Sequence, residues 1–166
     1  MSFGFQRLAI VDLSEKANQP MWDEAGELVI IFNGEIYNFQ ELRADLKKKY
    51  HFRSESDTEV VLYAYREYGK ECVKKLNGMF AFAIWDVRTQ ELFIARDRMG
   101  IKPLYYFWNG KQLIFSSEIK AILTHDIPRA ADLDAFHLFF SLLYIPEPYT
   151  MFAGIKKLPA GSFLSY

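Results

Sequence analysis

The sequence has one cysteine, Cys72, so no internal disulfide can form, and that usage fits a reducing compartment. It has no excess of either charge. Its 20 basic residues face 21 acidic ones, and only Lys47 to Lys49 cluster, which leaves no footprint for nucleic acid or an anionic membrane surface. No apolar run reaches membrane-spanning length, and the opening MSFGFQRLAI lacks the basic-then-apolar layout of a signal peptide. Its three histidines, His51, His125 and His137, are scattered without metal-ligand spacing, and His137 in AFHLFF reads as a packed helix residue. These absences point to a cytoplasmic protein with no metal of its own. Apolar side chains, by contrast, are plentiful. Hydrophobic residues make up 51% of the 166, with 15 Phe and 10 Tyr, enough for one packed core.

The local patterns predict a mixed architecture. Phe3 to Asp12 is apolar enough for a mostly buried strand, SEKANQP is a loop, and Glu27 to Phe32 is a second strand. Asn38 with Glu41, and Ser56 with Glu59, make two capping boxes, opening helices that run to about Lys49 and to a stop at Gly69. KECVKKL reads as a shorter helix. Two hairpins follow: MFAFAIWDV and ELFIAR flank RTQ, while PLYYFW and QLIFSS flank NGK, where Asn-Gly suits a type I′ turn. Hairpins imply antiparallel sheets, and MFAFAIW, apolar on both faces, requires cover on both sides. EIKAILTH and DLDAFHLFFSLL read as helices. The Pro- and Gly-rich tail looks like a connector with short strands.

Several groups offer chemistry. In NGEIYN, Asn33 and Gly34 could present an amide and a backbone N–H to one oxygen, as an oxyanion hole requires, although Asn-Gly is also the commonest turn dipeptide. On spacing alone the turn suffices. Arg7 could fork onto a carboxylate while Glu35 and Asp57 hold an ammonium group, together gripping the head of a free amino acid. Spacing does not show that the three converge, and Asp57 is equally explained as a helix-start acid. RDRMGIKPLYY lacks a P-loop's glycines and Lys-Ser/Thr pair, so it reads as a structural loop carrying ion pairs. Cys72, with no base beside it in sequence, reads as an inert helical thiol.

Seven stretches occur in order along essentially the whole chain: FGFQRLAIVDLS with NQPM, FNGEIYNFQELR, SDTEVVLYAYREYG, LNGMFAFAIWD, ARDRMGIKPLYY, FSSEIKAIL and GIKKLPAGSFL. Together they closely resemble the glutaminase domain of glutamine-hydrolysing asparagine synthetases of the B type. The resemblance implies an α+β fold, an N-terminal-nucleophile hydrolase-like sandwich of two antiparallel sheets between helical layers, incomplete at the N-terminus. It assigns 1–145 to a partial class II glutamine amidotransferase domain, and 146–166 to the domain's end and a connector. It implies hydrolysis of glutamine to glutamate and ammonia. The ammonia feeds a C-terminal synthetase domain, outside this sequence, that uses ATP and magnesium to make asparagine from aspartate. A homodimer of the parent is compatible with it. Residue by residue, Arg7 with Leu8, Ala9, Ile10 and Val11 would hold the glutamine carboxylate. Asn33 and Gly34 would form the oxyanion hole, and Glu35 and Asp57 would hold the amino group.

One departure stands out. The family's nucleophile is a cysteine at residue one of the processed chain, whose own amino group serves as base. Here FGFQRL matches a segment well inside the domain, so Ser2 is not a substitute nucleophile, and Cys72 matches a helix position away from the site. The expectation is an N-terminally truncated piece without glutaminase activity of its own. Two rival readings remain: the same domain serving another acceptor, such as a phosphoribosyl compound, and a non-catalytic glutamine-binding module.

Overall fold

The structure is a computed structural model and describes residues 1–6 and 11–166. In chain order the elements are β1 (Met21–Trp22), β2 (Leu28–Ile36), α1 (Phe39–Leu46), α2 (Asp57–Tyr68), β3 (Gly78–Asp86), β4 (Glu91–Arg96), β5 (Tyr105–Trp108), β6 (Leu113–Ser116), α3 (Ile119–Ile122), α4 (Leu133–Leu142), β7 (Ile155–Lys157) and β8 (Phe163–Ser165). Five strands form one sheet in the order β1-β2-β3-β4-β8, three form a second in the order β6-β5-β7, and every pairing is antiparallel. Residues 146–166 thus supply a strand to each sheet.

Alternation of side chains along the strands sorts the interior into three layers. Ile30, Phe32, Phe80, Phe82, Ile84 and Phe93 turn to one face of the first sheet and pack with Val61, Leu62 and Tyr65 of α2. Ala81, Ala83, Leu92 and Ile94 turn to the other face and meet Tyr106, Leu113 and Phe115 of the second sheet. The far face of that sheet, Phe107, Ile114 and Ile155, is closed by Ile122 of α3 and by Ile127. The order is helices, sheet, sheet, helix, an α+β sandwich as expected. MFAFAIW is indeed covered on both faces because its sheet is the inner one.

Local signals fared unevenly. Ser56 caps α2 by accepting from Thr58 N–H at 3.1 Å, and Gly69 ends it at φ +57°. Glu59, however, bonds the N–H groups of Arg53 and Ser54 rather than completing the box. Asn38 does not cap α1. Its side chain accepts from Asn77 N–H and donates to Lys75 C=O, because those groups, at the entry to β3, have no ladder partner. The Asn109-Gly110 loop is not type I′, which needs φ > 0 at both residues. Asn109 Oδ1 instead accepts from Lys111 and Gln112 N–H, and only Gly110 has positive φ. KECVKKL does contribute to a short helix, Gly69–Lys74, of the 3₁₀ kind. The strand expected over Phe3 to Asp12 is absent from its described residues, half of which are exposed; among the described residues no neighbouring strand completes a ladder there, and Phe3 packs on the inter-sheet core with its ring edge-on to Phe115. His137 is exposed on α4, not packed, since α4 buries only Ala135.

Candidate active site

The NGE of NGEIYN is not a turn. β2 continues through Asn33, Gly34 and Glu35 to Ile36, and the chain bends only at Tyr37-Asn38. Gly34 pairs with Phe80 of β3, where the two backbones press together. A Cβ on Gly34 would lie 2.1 Å from Met79 O, and one on Gly78 would lie 2.2 Å from Glu35 O. Only glycine fits at either position, which gives the Asn-Gly step a reason unrelated to turn chemistry.

The backbone bonding of β2 decides what Gly34 can do. In an antiparallel strand, N–H groups at alternate residues point to the same side. Leu28 N–H reaches Asp23 Oδ1 at 3.1 Å, Phe32 N–H reaches Gln19 Oε1 at 2.6 Å and Ile36 N–H reaches Asp57 Oδ2 at 3.0 Å, all away from β3. Phe80 confirms the phase from across the ladder: its N–H and C=O both engage Asp97, on the β4 side. The Gly34 N–H therefore emerges on the outer side of β2, between two neighbours already claimed by side chains. Among the described residues, nothing bonds it.

That N–H opens into a cavity of about 590 Å³ between the two sheets. Its walls include Gln6, Val11, Gln19, Asn33, Gly34, Glu35, Asp57, Met79, Lys102 and Ser117. Of the residues the sequence nominated, Asn33, Gly34, Glu35, Asp57 and Val11 are brought together here. Arg7, Leu8, Ala9 and Ile10 lie outside the described residues; Gln6 and Val11, which flank them in sequence, both line the cavity.

Asp57 is buried at the first residue of α2. Burial pushes its carboxyl above the usual aspartate range against the pull of the Ile36 N–H, and the nearby Glu35 carboxylate adds to the push. Two acids on one cavity wall, one of them desolvated, make a place that a cation relieves. An ammonium group meets that requirement.

Gln19 is the participant that sequence reasoning missed. Its amide accepts from Phe32 N–H, donates to Phe32 C=O at 3.1 Å and donates to Thr58 Oγ1 at 3.3 Å. One side chain thus imitates a paired strand and ties β2 to the start of α2. No spacing rule flags a loop glutamine for this.

The other nominated groups are structural. Buried Arg96 donates to the C=O groups of Gly100, Lys102 and Leu158 and pairs with Glu147 at 2.7 Å, while Asp97 accepts from Phe80, Met99, Ile101 and Lys102 N–H. RDRMGIKPLYY is accordingly an ion-paired brace built around the Arg96 guanidinium and the Asp97 carboxylate. Cys72 is fully buried, and burial pushes its thiol up to about 12. It cannot act as a nucleophile. Among the described residues no three His, Cys, Asp or Glu side chains are grouped to hold a metal ion, and no helix is long and apolar enough to cross a membrane.

Comparison with known proteins gives the family. The chain is similar over 98% of its length to asparagine synthetase [glutamine-hydrolyzing] 1 of Bacillus subtilis, at 45% identity, covering 26% of that protein. It is 42% identical to putative asparagine synthetase [glutamine-hydrolyzing] 2 of Methanocaldococcus jannaschii, over 96% of the chain and 34% of that protein. The chain therefore spans about a quarter to a third of these relatives' length. Among solved structures, glutamine phosphoribosylpyrophosphate amidotransferase from B. subtilis superposes with a TM-score of 0.54 at 26% identity, over 63% of this chain and 25% of that one. The glutamine amidotransferase domain model matches residues 1–166, and the chain belongs to that family.

Proposed function

We propose that this domain binds glutamine in the cavity between its sheets and serves the glutaminase step of an asparagine synthetase. The observation that carries the reading is the Gly34 N–H, which no described residue bonds, set between the Gln19-bonded Phe32 and the Asp57-bonded Ile36. A donor held by two strands needs no reorganisation when charge develops on an oxygen beside it, and such donors act most strongly away from water. The Asn33 side-chain amide supplies the second donor. Glu35 and Asp57 take the α-ammonium group, whose charge offsets the crowding of the two acids. Arg7, with Leu8, Ala9, Ile10 and Val11, takes the α-carboxylate.

Hydrolysis also needs a nucleophile, and the sequence's one cysteine is buried and protonated. We therefore expect these 166 residues to bind glutamine and release no glutamate. ATP and magnesium belong, in this reading, to the aspartate-activating part of the parent. The reaction there ends in asparagine. Calorimetry tests the pocket. Arg7→Ala should weaken glutamine binding at least tenfold, and Asp57→Asn should remove the loss of affinity on acidification that protonation of Asp57 imposes. Unchanged affinity in both variants counts against the pocket, and glutamate release that depends on Cys72 or Ser2 counts against the inactive chain.

The likeness to an amidotransferase named for phosphoribosylpyrophosphate supports a second reading, in which the same domain feeds a different acceptor. The coding sequence that follows distinguishes them: an ATP-pyrophosphatase loop supports the asparagine assignment, whereas a phosphoribosyl-binding domain overturns it.

A further inference from the structure

The α4 segment breaks the pattern of burial found elsewhere. Leu133, Phe136, Phe139, Phe140, Leu142 and Leu143 are all exposed, Phe140 at 66% and Leu143 at 81%, and Tyr144 and Tyr149 extend the surface. Phe140 sets its ring edge-on to both Phe136 and Phe139, so the aromatics form one cluster rather than isolated side chains. Asp134 is the only charged residue of the helix. A contiguous apolar surface of this kind marks an interaction site.

A second observation comes from the end of the helix. Leu143 adopts the left-handed conformation, φ +61° and ψ 14°, where glycine or asparagine is usual, and its N–H closes the helix on Phe139 C=O at 2.8 Å. A leucine there costs about 1 kcal/mol relative to a residue suited to the conformation. In the free domain its side chain gains nothing from burial in return.

We infer that the α4 face is the docking surface for the ammonia-consuming part of the parent protein, whose contacting surface is apolar and uncharged. The inference rests on the proposed function for the identity of that partner. A stable complex between free partners buries about 800 Å² on each. A covalently attached partner needs much less area, because tethering supplies a millimolar effective concentration. The relatives carry such a partner in the same polypeptide: about three quarters of the B. subtilis protein lies outside the region this chain matches.

Hydrogen–deuterium exchange tests this on three samples: the 166-residue chain, intact B. subtilis asparagine synthetase 1, and a chimaera carrying this chain in place of that protein's matching region. Amides of Leu133–Leu142 should exchange at least about tenfold more slowly in the chimaera than in the chain alone, with the matching segment of the intact relative equally slow. Phe136→Asp with Phe140→Asp should restore fast exchange there and leave β2 to β4 unchanged. Equal exchange in the chain and the intact relative overturns the inference. So does sedimentation showing that the chain alone dimerises and that Phe140→Asp makes it monomeric. If the chimaera fails to fold, the comparison of chain with intact relative still decides. Glutamine calorimetry on the same chain separates failure of this interface from failure of the pocket.

Discussion

β2 and α4 are both rich in apolar residues, yet one is enclosed and the other bare. Along β2 the alternate residues Leu28, Ile30, Phe32 and Ile36 meet α2, and the intervening Ile31 meets the second sheet. Along α4 only Ala135 finds the interior. Apolar content is therefore a poor guide to what a segment does; the presence of an opposing surface decides. β2 spends its apolar side chains on fixing a backbone, so that one N–H is held still. α4 keeps its own available to another surface.

The sharpest way to break this contrast is to damage both regions equally in chemical terms. Phe93→Ala in the core beneath α2 should cost about 3–5 kcal/mol in urea unfolding, since Phe93 is fully buried and the space it leaves cannot close. Gly34→Ala should be at least as harmful, because the new Cβ meets backbone rather than a movable side chain. Phe140→Ser, which also deletes a ring, should change the stability of the chain alone by no more than about 0.5 kcal/mol. A cost above about 2 kcal/mol there would mean that α4 is packed after all.

Between these extremes lies Glu147. Burial works against its ionisation, but bonds from Arg96, Lys157 and the Ala160 N–H outweigh this and hold its carboxyl down at about 2. A carboxyl lowered by folding stabilises the native state above its ordinary value of 4.5, and that contribution is lost as pH falls toward about 2. Glu147→Gln should therefore cost about 2 kcal/mol at neutral pH and flatten the acid limb of a stability–pH curve between those values. An unchanged acid limb would show that the Arg96 brace draws its strength from the three carbonyls alone.

Much of the frame was legible from local chemistry. Ser56 and Gly69 bound α2 as their residue types require, and the two hairpins gave antiparallel sheets with an apolar strand between two covers. What escaped depended on partners distant in sequence. Asn38 turned to cap Asn77 and Lys75 instead of its own helix, and Gln19 reached across to Phe32 and Thr58. His137, amid phenylalanines, looked buried by company, but its helix has no cover. The site itself was readable only in part. Asn33, Gly34, Glu35 and Asp57 were nominated by type and by resemblance, but their convergence needed the phase of the β2 ladder, which no pattern in the sequence displays.

The Gln19 clip also bears on how this protein keeps to itself. Beyond the short β1, the outer edge of β2 would offer a row of unpaired N–H and C=O groups, a template on which a second chain could add as a strand. Gln19 covers both groups of Phe32, and Asp57 covers the N–H of Ile36. An incoming strand needs several successive openings, whereas a small molecule needs one. By closing the positions on either side of Gly34, the fold removes the run of successive openings that an added strand would need.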